Sequence, residues 1–391
     1  MERDRSTHRR GVPRGRPVTA TSAARRVAVN LTWCVPGSVG GSEEYLCRQL
    51  SGFPDDDQFD ITVFSPRGFP SAHPEVAERF TVVETGHDGR SRPRRVLGES
   101  TWLYRRTGDF DLVHHGGGTV PLRHRRPTVL TIHDLQYLTF PEYFRRHKLA
   151  YLKSVMPRSV RRADVITVPT KFVKETVAES FGIDVSRIVV VPHGVESSIG
   201  SRATEQSELR QRFSLGDSPI VVFPAMTHPH KGHEFLLDVF AHEWLVANPD
   251  LRLVLIGGAG LAESAVNERI AALGIAPNVV KPGRVSDVDR DGILRMAQAL
   301  VFPSQYEGFG APVIEAMALG VPVVASDRAC LPEVVGSAGL VLPLERDAWR
   351  GALDEIDRRR TDLVAAGHSR VTAFTAEASG AALRDAYRRL A

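Results

Sequence analysis

Cysteine is scarce in this chain of 391 residues: Cys34, Cys47 and Cys330 are the only three. An odd and scattered set excludes a disulfide scaffold and fits a reducing cytoplasm. Lysine is scarce too, with Lys148, Lys153, Lys171, Lys174, Lys231 and Lys281 making six of the 50 basic residues. No window approaches the ~18 consecutive apolar residues of a membrane span. The arginine-bearing N-terminus lacks the apolar stretch of a secretory signal. Heptads and longer repeats are absent, which removes coiled coils and solenoids. There is no Gly-x4-Gly-Lys-Ser/Thr phosphate loop and no nucleophile elbow, so neither a P-loop NTPase nor a serine hydrolase is indicated.

The chain does carry an uneven distribution of charge. The formal net charge is +4 and the isoelectric point about 9.1. Residues 1–26 hold eight arginines against Glu2 and Asp4, a net +6, and residues 90–164 hold 16 basic against six acidic residues, a net +10. The remainder is therefore at −12. A basic tail and a basic patch sit on a mildly acidic body. Few aromatics interleave the arginines and no nucleic-acid module is recognisable, so nucleic acid is not an expected partner.

At roughly 100–200 residues per domain, the length predicts two domains. Residues 1–25, rich in Arg, Pro, Ser and Thr, predict a disordered basic extension. Short apolar runs then alternate with amphipathic stretches: 26–31, 61–65, 111–114, 128–132, 164–168 and 188–191, with helices expected at 144–161 and 171–181 among others. A polar stretch at 196–217 predicts a linker containing a short helix. A second series follows at 219–223, 252–256, 278–280, 299–302, 321–325 and 339–342. Apolar runs separated by helices are the signature of buried parallel strands. The expected architecture is α/β, with two doubly wound Rossmann-like domains, 26–195 and 218–391, facing across a cleft at their strand C-termini.

The most informative stretch runs from Ser304 to Gly320, SQYEGFGAPVIEAMALG. It leaves an apolar strand, turns through Gly308 and Gly310, and enters a helix with Pro312 in the first turn. Such a helix start offers backbone amides to phosphate oxygens. Glu307 in the loop and Glu315 one turn into the helix can accept hydrogen bonds from vicinal hydroxyls. By itself Glu-x7-Glu is a weak pattern, as ordinary as acids on a solvated helix. Embedded in this segment it is specific.

The segment resembles the C-terminal domain of the retaining, nucleotide-sugar-dependent glycosyltransferases of family 4, which have the GT-B fold. The resemblance extends through nearly all of the chain after residue 26: Gly40-Gly41, TIHDL at 131–135, VPHGVE at 191–196, HPHKGHEFLLDVF at 228–240 and LPEVV at 331–335. It implies a cytoplasmic enzyme that moves a hexose, mannose by family frequency, from a nucleoside diphosphate sugar to a glycan or lipid-linked acceptor in polysaccharide biosynthesis. It implies Glu307 on the donor sugar and Glu315 on the nucleotide ribose, with amides of Gly308, Phe309 and Gly310 on sugar or phosphate. Lys231 would hold the departing diphosphate, His133 would support transfer beside the donor sugar, and Gly40 and Gly41 would approach phosphate or acceptor. Neither cofactor nor metal is implied. A nucleotide-sugar epimerase on the same fold and a non-catalytic sugar-nucleotide binder remain the alternatives.

One departure bears on the donor site. Where many members of the family carry Gly-Arg, this chain has Ala225-Met226. Thr227, His228 and His230 are the candidates to replace the lost arginine by hydrogen bonding. His228, His230 and His233 also have a metal-like spacing, although no Cys or acid completes a zinc set. Glu333 is a further candidate for the edge of the nucleotide site. Gly258-Ala259-Gly260 is off-pattern for a dinucleotide fingerprint. The basic window at 90–164 is mostly an ordinary solvated surface; the sharper expectation is contact with anionic lipid or a lipid-diphosphate-linked acceptor at the inner membrane face.

Overall fold

A computed structural model describes residues 24–37, 40–55 and 58–390. The expected extension lies outside the described residues except for Ala24 and Arg25, and Arg25 already belongs to the first strand. Among the described residues, thirteen strands form two sheets. The first contains β1 (Arg25–Asn30), β2 (Phe59–Ser65), β3 (Thr81–Glu84), β4 (Leu112–His115), β5 (Thr128–Thr131), β6 (Val165–Val168) and β7 (Ile188–Val190). The second contains β8 (Ile220–Pro224), β9 (Arg252–Ile256), β10 (Val279–Gly283), β11 (Ala299–Phe302), β12 (Val323–Ser326) and β13 (Leu340–Leu342).

The spatial orders are β3-β2-β1-β4-β5-β6-β7 and β10-β9-β8-β11-β12-β13, and every pairing is parallel. Both are doubly wound sheets whose order reverses beside the first strand of each domain, which is where such folds open a crevice. The central strands are buried on both faces, which is why they read as unbroken β-branched runs and not as alternating ones. β3, an edge strand with two exposed and two half-buried residues, lacks that signature and was not expected.

The last helix, Ala376–Arg388, corrects the expected boundary at 218–391. It packs on the helix Gly41–Ser51, and Leu383, Ala386 and Tyr387 complete the core of the first domain. Its apolar residues lie on one face, so it buries where a matching groove exists, and the first sheet supplies it. The Tyr387 ring lies tilted 5.9 Å from Phe53 and edge-on 5.8 Å from Phe59, and its hydroxyl lies 2.8 Å from His114 Nδ1. The chain thus crosses between domains twice, and the two crossings pair: the Val195 amide donates to Phe374 O at 2.7 Å and the Ala376 amide to Val195 O at 3.1 Å.

The returning helix fits without slack. A Cβ on Gly380 would lie 2.2 Å from the carbonyl of Gly52 on the opposing helix end, a contact no real side chain tolerates. Gly380→Ala should cost about 1–3 kcal/mol, the usual range for overpacking. Gly351→Ala, where a Cβ meets nothing within 4 Å, should stay within about 0.5 kcal/mol. Urea denaturation of the two variants checks this; equal midpoints would show the packing at Gly52 to be yielding.

Candidate active site

Because all strands are parallel and the sheets face each other, the loops after β5, β8 and β11 meet at one cleft. A cavity of about 350 Å³ lies there, floored by Gly41, Ser42 and Tyr45 of the first domain and roofed by residues 307–312 of the second. The helix Ala311–Ala318 begins at its edge, with Pro312 in the first turn as expected and Gly310 as its N-cap. Pro312 has no N–H and the Val313 amide donates to Gly310 O at 3.0 Å, so the Ala311 amide is the one this turn offers at the cavity edge.

Lys231 follows β8 and Glu307 follows β11, and the two meet with Lys231 Nζ 2.6 Å from Glu307 Oε1. Both side chains are largely withdrawn from solvent, at 19% and 12% exposure. Lys231 is the only Lys or Arg among the described residues lining this cavity. Ala225 and Met226 line the cavity too, and among the described residues lining it no second Lys or Arg takes the place of the absent arginine. His228 also lines the cavity, but burial and the nearby Lys231 lower its pKa, so at neutral pH it acts as a dipole and not a charge. His230 lies in an adjoining cavity and is pushed down to about 3, chiefly by burial.

His133, two residues past β5, lines the cavity from the first domain, edge-on to Tyr45 at 5.5 Å. Its Nε2 sits 2.8 Å from Gly116 O. A carbonyl only accepts, so Nε2 carries the proton and Nδ1 is left as an acceptor. Burial lowers its pKa, which keeps the ring neutral. At Gly308 the two domains approach closely: a Cβ there would sit 2.1 Å from His133 O. Thr170 Oγ1 donates to Gly308 O at 3.0 Å, fixing the loop against the first domain.

The second glutamate is placed differently. Glu315 is buried and does not line the cavity; Arg48 of the first domain reaches across to it, Nη1 to Oε1 at 2.9 Å. Burial alone would raise the carboxyl pKa, but Arg48 and Arg290 outweigh it and pull it down to about 2. Arg48 also donates to Gly194 O at 3.3 Å, so it ties the helix Gly41–Ser51, the crossing segment and the second domain together.

Three further expectations are corrected by the geometry. Thr227 is buried away from the cavity; its hydroxyl donates to Glu263 at 2.7 Å and accepts from the Gly260 amide at 2.7 Å, holding the 258–260 turn. Glu333 accepts the Lys171 and Phe172 amides at 2.9 and 3.1 Å, so it caps the helix Lys171–Phe181 of the facing domain and does not line the cavity. Gly40 caps the helix Gly41–Ser51 with its carbonyl while Gly41 lines the cavity. Gly308, Phe309 and Gly310 all line it.

His193, within the VPHGVE segment, lines the cavity and stacks on Phe309 at 5.3 Å. Burial, with Arg48 adding to it, lowers its pKa to about 4. Its place in a motif was visible in sequence; its contact with the loop of the other domain was not. Among the described residues, the one group of metal-ligating side chains close enough to share an ion is Cys47, His73 and Glu75, away from the cavity, and His228, His230 and His233 form no such group.

The family description "Glycosyltransferase Family 4" matches residues 39–198, and "Glycosyl transferases group 1" matches residues 205–356. The chain is 29% identical to O-antigen chain mannosyltransferase B of Escherichia coli over 66% of its own length and 70% of that protein. It is 27% identical to O-antigen chain mannosyltransferase RfbU of Salmonella typhimurium over 71% and 74%. In structure it resembles Anabaena HepE in complex with UDP and glucose, with a TM-score of 0.71 at 19% identity over 93% of this chain and 100% of that one. Sucrose-phosphate synthase from Thermosynechococcus elongatus is equally similar, 0.71 at 19% over 94% and 99%. With one description on each domain and the facing-sheet architecture between them, the chain belongs to the GT-B glycosyltransferases of the family 4 type.

Proposed function

We propose that the cleft transfers a hexose, mannose in the first instance, from a nucleoside diphosphate sugar to a hydroxyl of a glycan or lipid-linked acceptor, with retention of configuration. The observation that carries this reading is the Lys231–Glu307 contact at 2.6 Å beside the start of the helix Ala311–Ala318. A diphosphate laid on that helix start would meet amides and one ammonium, a combination suited to charge that develops as the phosphate departs. Glu307, whose partner Lys231 would then turn to phosphate, is left to accept from sugar hydroxyls. The names of the mannosyltransferase relatives support the choice of sugar.

In this reading the bond from the anomeric carbon to the diphosphate oxygen breaks while a bond to the acceptor oxygen forms on the same face. The acceptor's proton passes to the leaving diphosphate oxygen. His133, neutral with Nδ1 open, receives a hydrogen bond from a donor-sugar hydroxyl and orients the ring. Stabilisation comes from Lys231 and backbone dipoles, so the reading requires no metal. Glu315, buried against Arg48 in this structure, would meet the ribose only once the entering donor draws it from that pair. Closure of the domains excludes water from the donor. The basic face at 90–164 supports a peripheral position at an anionic membrane.

A panel of nucleotide sugars in a thermal-shift assay should single out one donor, since a ligand of the folded state raises apparent stability. With that donor, Lys231→Ala should lower kcat by about 100-fold or more, on the scale of removing one oxyanion-type donor. Glu307→Ala should also act chiefly on kcat, and Glu315→Ala chiefly on donor KM. Normal turnover in both the Lys231 and Glu307 variants would sink the assignment.

The Glu315 carboxyl gives a separate, activity-independent expectation. Its folded pKa of about 2 lies below its ordinary 4.5. Its stabilisation is therefore complete above pH 4.5 and lost as pH falls toward 2. The stability difference between wild type and Glu315→Gln should be flat from pH 7 to about 4.5 and shrink below it, read from urea midpoints.

A further inference from the structure

We propose that the first domain binds a zinc ion outside the cleft, ligated by the Cys47 thiolate, the Nδ1 atom of His73 and the Glu75 carboxylate. The inference stands apart from the transferase reading and gives the metal no part in transfer. Cys47 lies on the helix Gly41–Ser51, and His73 and Glu75 lie at the start of the short helix Pro74–Ala77, which packs on it. One ligand atom from each of the three side chains falls within 4.8 Å of the other two. A tetrahedral zinc ion with ordinary bond lengths needs its ligand atoms roughly 3.3–3.8 Å apart. Small side-chain movements therefore close the site, and the Glu75 side chain, 43% exposed, has room to make them.

The surroundings of His73 are those of a ligating imidazole. Glu43, one helical turn before Cys47 on the same helix, sets its Oε1 2.8 Å from His73 Nε2. Its side chain is only 2% exposed, and the same oxygen accepts the Gly37 amide at 2.8 Å. A carboxylate on the far nitrogen of a metal-bound histidine fixes its tautomer and ring orientation. That leaves Nδ1, which lies 3.1 Å from Glu75 Oε1, to face the ion. Phe69 packs tilted against the ring at 4.8 Å, and Phe69 and Val76 are fully withdrawn from solvent, so the imidazole has apolar support as well.

Thiolate, imidazole and carboxylate together suit zinc, and are a poor set for magnesium or calcium, which take oxygen ligands. Without metal, the two carboxylates accept from both ring nitrogens. Zinc binding displaces the Nδ1 proton and the Cys47 thiol proton, so two protons leave as the divalent ion arrives and the group keeps its net charge. The exposed side beside Glu75 leaves the fourth position to water. An ion here pins the helix Gly41–Ser51, which carries Gly41, Ser42 and Tyr45 at the donor cavity and Arg48 on Glu315.

The test uses the untagged full chain, stripped with a chelator and then given zinc alone, or cobalt(II) as a spectroscopic stand-in. Wild type should retain one zinc per chain through gel filtration, and cobalt should give a thiolate-to-metal charge-transfer band in the near ultraviolet. Cys47→Ser should lose the band, while Cys34→Ser and Cys330→Ser keep it. Glu75→Gln should weaken zinc binding by about 10-fold or more, and Glu43→Gln by about 10–100-fold, the range for a residue that orients a ligand. Zinc should raise the melting temperature of wild type and not that of Cys47→Ser. The proposal is overturned if wild type retains no zinc, if the cobalt band survives Cys47→Ser, or if Glu75→Gln binds zinc as tightly as wild type. Should Cys47→Ser fail to fold, the exposed Glu75→Gln, its fold checked by circular dichroism, decides the matter. None of these readouts involves sugar transfer, so their failure leaves the transferase reading untouched.

Discussion

The cleft depends on one buried ion pair. Arg48 and Glu315 come from different domains, lie 2.9 Å apart, and expose 8% and 7% of their side chains. Such a pair adds little net stability over an apolar replacement, because desolvation offsets attraction, yet removing one partner strands a buried charge at a cost of about 3–5 kcal/mol. Its role is therefore positional. Arg48 holds the Glu315 carboxylate, anchors the crossing segment through Gly194 O, and helps keep His193 neutral. The Thr170 bond to Gly308 O and the Glu333 cap on the facing helix act in the same direction, closing the domains over the loop at 307–310.

Around that pair the cleft is electrically sparse. Lys231 already faces Glu307, and the histidines at 133, 193 and 228 are neutral by burial. A diphosphate entering such a site would change its electrostatics more than any residue in it, since the Lys231–Glu307 pair must open to receive it. The resulting picture is of a site whose charges are stored against each other until a substrate separates them. The chain's high isoelectric point arises elsewhere, in the tail and in the basic face of the first domain.

Much of this was legible in sequence where a single physical cause dominates. Strands buried on both faces announced themselves as β-branched runs, and the Gly308–Pro312 turn announced a helix start. The family resemblance puts Lys231 on the diphosphate and Glu307 on the donor sugar of one site; their contact with each other has no signal in the sequence. What escaped had its cause at long range. β3 is half exposed and carries no run. The amphipathic face of Ala376–Arg388 predicts a helix but not which domain it covers. Thr227 and Glu333 are polar residues in cleft loops, and only the partner that each finds, Glu263 or the amides of Lys171 and Phe172, separates a structural role from a ligand.

The double crossing has a mechanical consequence. With one connection, two lobes can swivel about a point; with two paired connections at Val195 and at residues 374–376, relative motion is confined to rotation about the line joining them. The first strand and the last helix meet again at Gln58, whose backbone carbonyl accepts from the Arg25 amide at 2.8 Å and whose side chain accepts from Arg388 at 2.8 Å. The second domain is thus an insert within the first, carried on a two-strand hinge. The gap between the lobes can widen or narrow along one arc, and each passage along it would bring the same loop, 307–310, back to the same strand ends.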